Sequence, residues 1–218
     1  MEETHAGGVP GGKPLLRGVL HEVGAFVALA AGTILVLRAG SARARIAAAI
    51  YGISLVALLA ASAVYHRGRW TERARAVLRR VDHSAIFVLI AGTYTPICLH
   101  FFAGFWRWGV LAIIWSMAIV GIVVKVFVIR APRWLTAAIY LAMGWLCLMG
   151  IRVMLATMPM SALLWLLLGG IFFSVGAIVY VTKRPDFYPG VFGFHELWHI
   201  FVILGCLSHF ILMAAYVA

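Results

Sequence analysis

The sequence predicts an all-α membrane protein, a bundle of seven transmembrane helices. Three observations carry that expectation. Of the 218 residues, 64% are hydrophobic and 11% are charged, and the mean hydropathy is +1.03. A soluble domain of this size carries about 25% charged residues, so this much apolar surface belongs in lipid. Apolar runs long enough to cross the ~30 Å hydrocarbon core recur near 19–37, 46–66, 83–102, 107–128, 134–155, 160–181 and 194–217. The runs are too long for barrel strands and lack period-two alternation, and lipid forbids unpaired backbone, so helix is the structure that fits.

Taken in order, residues 1–18 read as a flexible N-terminal tail and 19–218 as the transmembrane domain. The start of the tail, rich in Gly and Pro, is too polar for the apolar region of a cleavable signal. The first span carries His21 and Glu22 near its start, and the second ends on His66. The third opens with Asp82 and His83 and contains Pro96, expected to kink it. The seventh opens with His195, Glu196 and His199. Linkers are short and no internal repeat is evident, as expected of one compact bundle.

The net charge of +11 is spread between apolar runs. That is the pattern of membrane-flanking anchors, and it argues against a nucleic-acid groove. With the N-terminus inside, 13 of the 18 Lys and Arg residues are cytoplasmic, leaving Arg38, Arg43, Arg45, Arg107 and Arg152 outside. The positive-inside rule therefore predicts a cytoplasmic N-terminus and an external C-terminus. The stretch from Arg67 to Arg80, with Trp70 at headgroup level, reads as a topology-setting cytoplasmic loop, with anionic lipid as the alternative role. Cys98, Cys147 and Cys206 are isolated in apolar segments and read as small core residues.

Polar side chains are costly in membrane helices, so those present are default site candidates. The predicted topology brings His66, Asp82, His83, His195, Glu196 and His199 to one membrane face. His195 and His199 are four residues apart and share a helical face, as do Ser62 and His66. Neutral imidazole is a good zinc ligand, and three protein ligands with an open position is the pattern of a catalytic zinc. His66, His195 and His199 make such a set. Asp82 is then placed to hold the bound water, act as general base or hydrogen-bond a ligand histidine, and Ser62 to orient water or a substrate carbonyl. The bland alternative is a group of interfacial histidines satisfied by backbone and headgroups. His195 to His199 also fits H-E-x-x-H, the zinc-protease signature with Glu as base. No third ligand follows it, because His209 lies roughly 20 Å further along the helix. His21 and Glu22 read as either rim residues or supports of the site. His5, His100 and His209 read as structural or solvated.

At these residues the chain resembles the hemolysin III family, the bacterial branch of the progestin and adipoQ receptor superfamily that includes the adiponectin receptors. The resemblance rests on Ser62-x-x-x-His66, on Asp82-His-Ser-Ala-Ile-Phe-Val-Leu-Ile-Ala-Gly-Thr-Tyr-Thr-Pro96 and on Gly193-Phe-His-Glu-Leu-Trp-His199. Arg184-Pro-Asp186 and His21-x-x-Gly24 also fit, so it covers essentially everything after the tail. It implies seven helices with a cytoplasmic N-terminus in the bacterial plasma membrane. It also implies a zinc held by His66, His195 and His199, with Asp82 near the zinc-bound water and Ser62 close by. Adiponectin receptors typically have Gln where this chain has Glu196. Ceramidase activity in eukaryotic relatives implies a zinc-dependent hydrolase of ceramide-like amide lipids, and bacterial members are connected with membrane-fluidity homeostasis. The expected partners are membrane lipids. A non-enzymatic sensor or receptor with structural zinc is the alternative. A pore-forming cytolysin and an intramembrane protease are minor ones, the spans holding few polar residues to line a channel.

Overall fold

In the computed structural model, residues 16–127, 132–188 and 190–218 are described. The tail expected at 1–18 lies outside them except for Leu16–Gly18, which form a turn. His5, Lys13 and Arg130 also lie outside. The helices are α1 (Val19–Arg38), α2 (Ala42–Arg67), α3 (Glu72–Phe101), α4 (Gly104–Phe127), α5 (Arg133–Gly144), α6 (Ile151–Thr157), α7 (Met160–Thr182) and α8 (Phe194–Tyr216). A 3-10 stretch, Trp145–Gly150, joins α5 to α6, and the three make one span. Seven segments are thus long and apolar enough to cross a membrane. The described residues contain no strand, only one isolated bridge between Tyr188 and Phe192.

Packing follows chain order. α1 lies on α2, α2 on α3, α3 on α4 and α7 on α8. The bundle closes where α8 returns to α1 and α5 bridges α3 and α7. α2 and α3 approach closely at Gly92, where a Cβ would stand 2.6 Å from that of Ser54. Small residues at such crossings let membrane helices exploit van der Waals contact, the main attraction left when lipid is as apolar as leucine.

The two largest differences from hydropathy at helix starts are in α2 and α3. The Ser41 hydroxyl accepts from the Ala44 N–H at 3.2 Å and starts α2 at residue 42. Thr71 accepts from Ala74 at 3.3 Å and starts α3 at 72. Such caps satisfy backbone donors that the first turn leaves open. A charged first turn is invisible to hydropathy, yet it is helical. The Arg-rich stretch is therefore mostly helix, and the loop shrinks to Gly68–Thr71. Trp70 folds back to donate its indole N–H to the Val64 carbonyl at 2.9 Å. Asp82, expected at the start of its helix, instead sits about 15 Å along α3 and is buried. α3 continues as helix through Pro96.

The break in the fifth span has a specific cause. The Tyr94 hydroxyl of α3 accepts from the Cys147 N–H at 2.8 Å and lies 2.9 Å from the Gly144 carbonyl and 3.2 Å from that of Met143. It thus satisfies backbone groups that a departure from α-helix frees in lipid, where water is absent. Tyr94→Phe is expected to lower stability by about 1–3 kcal/mol, measured as earlier thermal unfolding in detergent. Unfolding indistinguishable from wild type would show that the 3-10 stretch needs no such partner.

Candidate metal centre

The starts of α1 and α8 and the end of α2 meet at one end of the bundle. From α2 comes His66, and from α8 come His195 and His199, four residues apart on one face. One ring nitrogen of each lies within 4.8 Å of the other two. The Nε2 atoms of His66 and His195 are 3.3 Å apart. Two nitrogens bound to one tetrahedral zinc at 2.0–2.1 Å stand about 3.3 Å apart. His66 and His199 are buried, and the Nε2 of His199 has no hydrogen-bond partner. A bare imidazole pair would satisfy His66 and His195 and still leave His199 idle. A shared cation satisfies all three, so the donor set fits a metal.

Asp82 and Ser62 come together in the fold. Both are buried, and Ser62 is a hydrogen-bonding neighbour of the Asp82 carboxylate. His83 lies beside them and lines the same cavity: its Nδ1 is 2.7 Å from the Arg79 carbonyl and 3.5 Å from Asp82 Oδ2. Asp82, Ser62 and His21 line one cavity of about 780 Å³. It runs down the bundle past Leu89, Thr93 and Tyr94 to Phe102 and Met154, between apolar walls. The three metal-site histidines are not in its wall.

Glu196 belongs to the framework of the site. Its Oε2 accepts from the Gly193 N–H at 2.9 Å, and its Oε1 accepts from Arg17 Nε. It is 2% exposed, so it neither faces water nor has a free carboxylate to serve as the base of an H-E-x-x-H protease. Asp186 adds a second cap, accepting from the Phe194 N–H at 3.0 Å. Two carboxylates at the start of α8 match the positive end of its dipole and fix the turn that carries His195 and His199. Glu196→Ala is expected to cost about 1–3 kcal/mol and to weaken metal retention, whereas Glu196→Gln keeps an acceptor for Gly193 and loses less. Metal titration of the two variants checks the order; equal behaviour would show the charge and cap to be idle.

Glu22 and His21, neighbours in sequence, separate in the fold. Glu22 pairs at the surface with Arg67, Nε to Oε2 2.7 Å. His21 is buried and stacks on His199, with ring centroids 3.8 Å apart and planes within 4°. Gly18 makes this approach feasible. Its φ is +80°, and a Cβ there would stand 2.8 Å from the Cβ of His66, so only glycine brings α1 in so closely. His100 is exposed, while buried His209 bonds to the Leu166 carbonyl at 3.2 Å. Both are remote from the centre, as expected.

These features define a class: polytopic helical membrane proteins with a histidine centre inside one end of the bundle. The sequence model of the "Haemolysin-III related" family matches residues 12–210. The chain is 34% identical to "Hemolysin-3 homolog" of Bacillus subtilis (strain 168) over 205 residues, 93% of each chain. It is 34% identical to "Hemolysin-3" of Bacillus cereus over 206 residues, 93% of this chain and 91% of the relative. It is also 26% identical to "Heptahelical transmembrane protein 5" of Arabidopsis thaliana over 178 residues, 74% of this chain and 47% of the plant protein. The chain belongs to the haemolysin-III related family. With its seven apolar helices and bacterial relatives, it is an integral protein of the bacterial plasma membrane.

Proposed function

We propose that His66, His195 and His199 hold zinc and that the protein is a zinc-dependent hydrolase of acyl-amide lipids acting in membrane lipid homeostasis. The observation that carries this reading is the convergence of three imidazole nitrogens beside an apolar cavity whose polar end is Asp82, Ser62 and His21. Zinc favours all-imidazole donor sets, and three protein ligands leave a position open. Bound zinc supplies Lewis acidity, polarising an acyl carbonyl and making water nucleophilic near neutral pH. The chain's own residues do the rest. Asp82 takes the proton of the attacking water at its carboxylate, with Ser62 holding that carboxylate in place. The cavity is within the size range of small-molecule sites; it holds the acyl chain and keeps bulk water from the reacting bond. A cytoplasmic N-terminus, read from the charge count, puts this chemistry at the inner headgroup level.

One observation favours a second reading. The three histidines lie outside the cavity wall and tie α2 to α8, as a structural pin of a sensor would. A lipid panel separates the two. The purified protein is expected to release fatty acid from long-chain N-acyl lipids in proportion to its zinc content. Full zinc loading with no turnover of any N-acyl lipid would leave the sensor.

A further inference from the structure

Three residues in the wall of the cavity are each tied to a basic residue. Thr136 of α5 is buried and accepts from Lys125 Nζ at 3.0 Å. Tyr180 of α7 has the guanidinium of Arg133 over its ring, 5.5 Å from the centroid. His83 of α3 has its Nδ1 on the Arg79 carbonyl and lies in the combined field of Lys125, Arg79 and Arg133. The Tyr140 hydroxyl donates to the His83 carbonyl at 2.8 Å and holds α5 against α3 there. His83, Thr136 and Tyr180 all line the cavity, so α3, α4 and α5 bring three positive charges to its Asp82 end.

Basic residues at the ends of membrane helices commonly set topology and extend to water. Lys125 does otherwise. It stands at the end of α4, yet it is half-buried and its ammonium is turned onto a buried hydroxyl. Neither Lys125 nor Arg79 pairs with a carboxylate among the described residues. Glu22 is taken by Arg67, Glu196 by Arg17 and Asp186 by the start of α8, while Glu72 is exposed in the first turn of α3. Asp82 is the one acid in the cavity wall. A single carboxylate against three cations leaves an excess of positive charge, and charge at a membrane helix is costly without a counter-ion.

We propose that Arg79, Lys125 and Arg133 bind the phosphate of a lipid headgroup whose acyl chain lies in the cavity. Lys and Arg are the side chains that recognise phosphate, and Thr136 and Tyr180 hold two of the three in place. An anionic head on an apolar chain matches the site in both parts. The assignment needs neither zinc nor turnover, and it rests on the hydrolase reading only for the acyl chain in the cavity.

The test measures equilibrium binding to the zinc-loaded full chain in a non-ionic detergent. The probes are radiolabelled 1-palmitoyl lysophosphatidic acid, its neutral counterpart 1-palmitoylglycerol, and inorganic phosphate. Wild type is expected to bind lysophosphatidic acid at least about tenfold more tightly than 1-palmitoylglycerol, the effect of one or more charge-assisted hydrogen bonds. Lys125→Gln and Arg79→Gln are each expected to weaken lysophosphatidic acid by about tenfold and to leave zinc content and 1-palmitoylglycerol unchanged. Lys125→Arg, which keeps the charge, should retain most of the preference. Arg73→Gln removes an exposed cation of the same helix, about 15 Å from His83 along the axis, and should change nothing. Wild-type lysophosphatidic acid binding by both Gln variants overturns the assignment, as does an equal loss of 1-palmitoylglycerol. A loss in Arg73→Gln as large as in Lys125→Gln overturns it in favour of a merely basic surface. Inorganic phosphate bound as tightly as lysophosphatidic acid overturns the lipid as ligand. Wild type that binds both lipids equally overturns the phosphate site alone, whereas wild type that binds neither also overturns the acyl-chain reading of the cavity.

Discussion

Replacing His66 or His199 by alanine is expected to strip the metal from the protein. Wild type should carry about one zinc per chain after purification, and each variant close to none, read by elemental analysis. The expectation follows from the donor count. Three imidazoles are the only clustered set of metal-ligating side chains among the described residues, and two cannot hold an ion against dilution as three can. Mutating residues that merely support a ligand already costs 10–100-fold in affinity, so losing a ligand costs more. His199→Ala should be the more severe, because His199 is the most deeply buried of the three and its loss also removes the platform on which His21 stacks. A chelator should reproduce the loss and lower thermal stability, since binding to the folded state alone stabilises it. Variants that keep a full complement of zinc would sink the metal assignment.

Asp82→Asn is expected to lower hydrolysis of N-acyl lipids by 10²–10⁴-fold, the usual share of a positioned general base, with zinc content and fold unchanged. The substitution conserves size and the capacity to bond to Ser62, and removes only the ability to take a proton. That separates it from the histidine variants, which should lose metal and activity together. Ser62→Ala should fall between, because it loosens the carboxylate without removing it. If Asp82→Asn turns over lipid at the wild-type rate, the base is elsewhere. If it loses zinc, Asp82 acts through the ligands instead.

Much of the site was legible in particular residues. The four-residue spacings of Ser62 and His66, and of His195 and His199, are helical-face signals. They hold wherever the helix lies, and the structure keeps both. Glu196 shows where such local reading stops. Its place in H-E-x-x-H suggests a base, yet its carboxylate is spent on Gly193 and on Arg17, a residue 179 positions away. The start of α3 was missed for a different reason: Arg73 to Arg80 have the polarity of a loop, and only the cap at Thr71 announces the helix. His21 could be found in sequence only as one histidine near the start of the first span.

What the sequence alone determined is the membrane architecture, because burial in lipid depends on composition along a run of about 20 residues and needs no partner. It also determined which helix faces carry the histidines. Only the tertiary structure decided which polar groups meet. α8 returns to α1, so His21 stacks on His199 and Arg17 reaches Glu196, while Glu22 is left at the surface with Arg67. The physical reason is range. Hydropathy and helical periodicity are properties of neighbouring residues, whereas a buried imidazole or carboxylate is satisfied by whatever helix packs against it, and in a bundle that helix can be the last one in the chain.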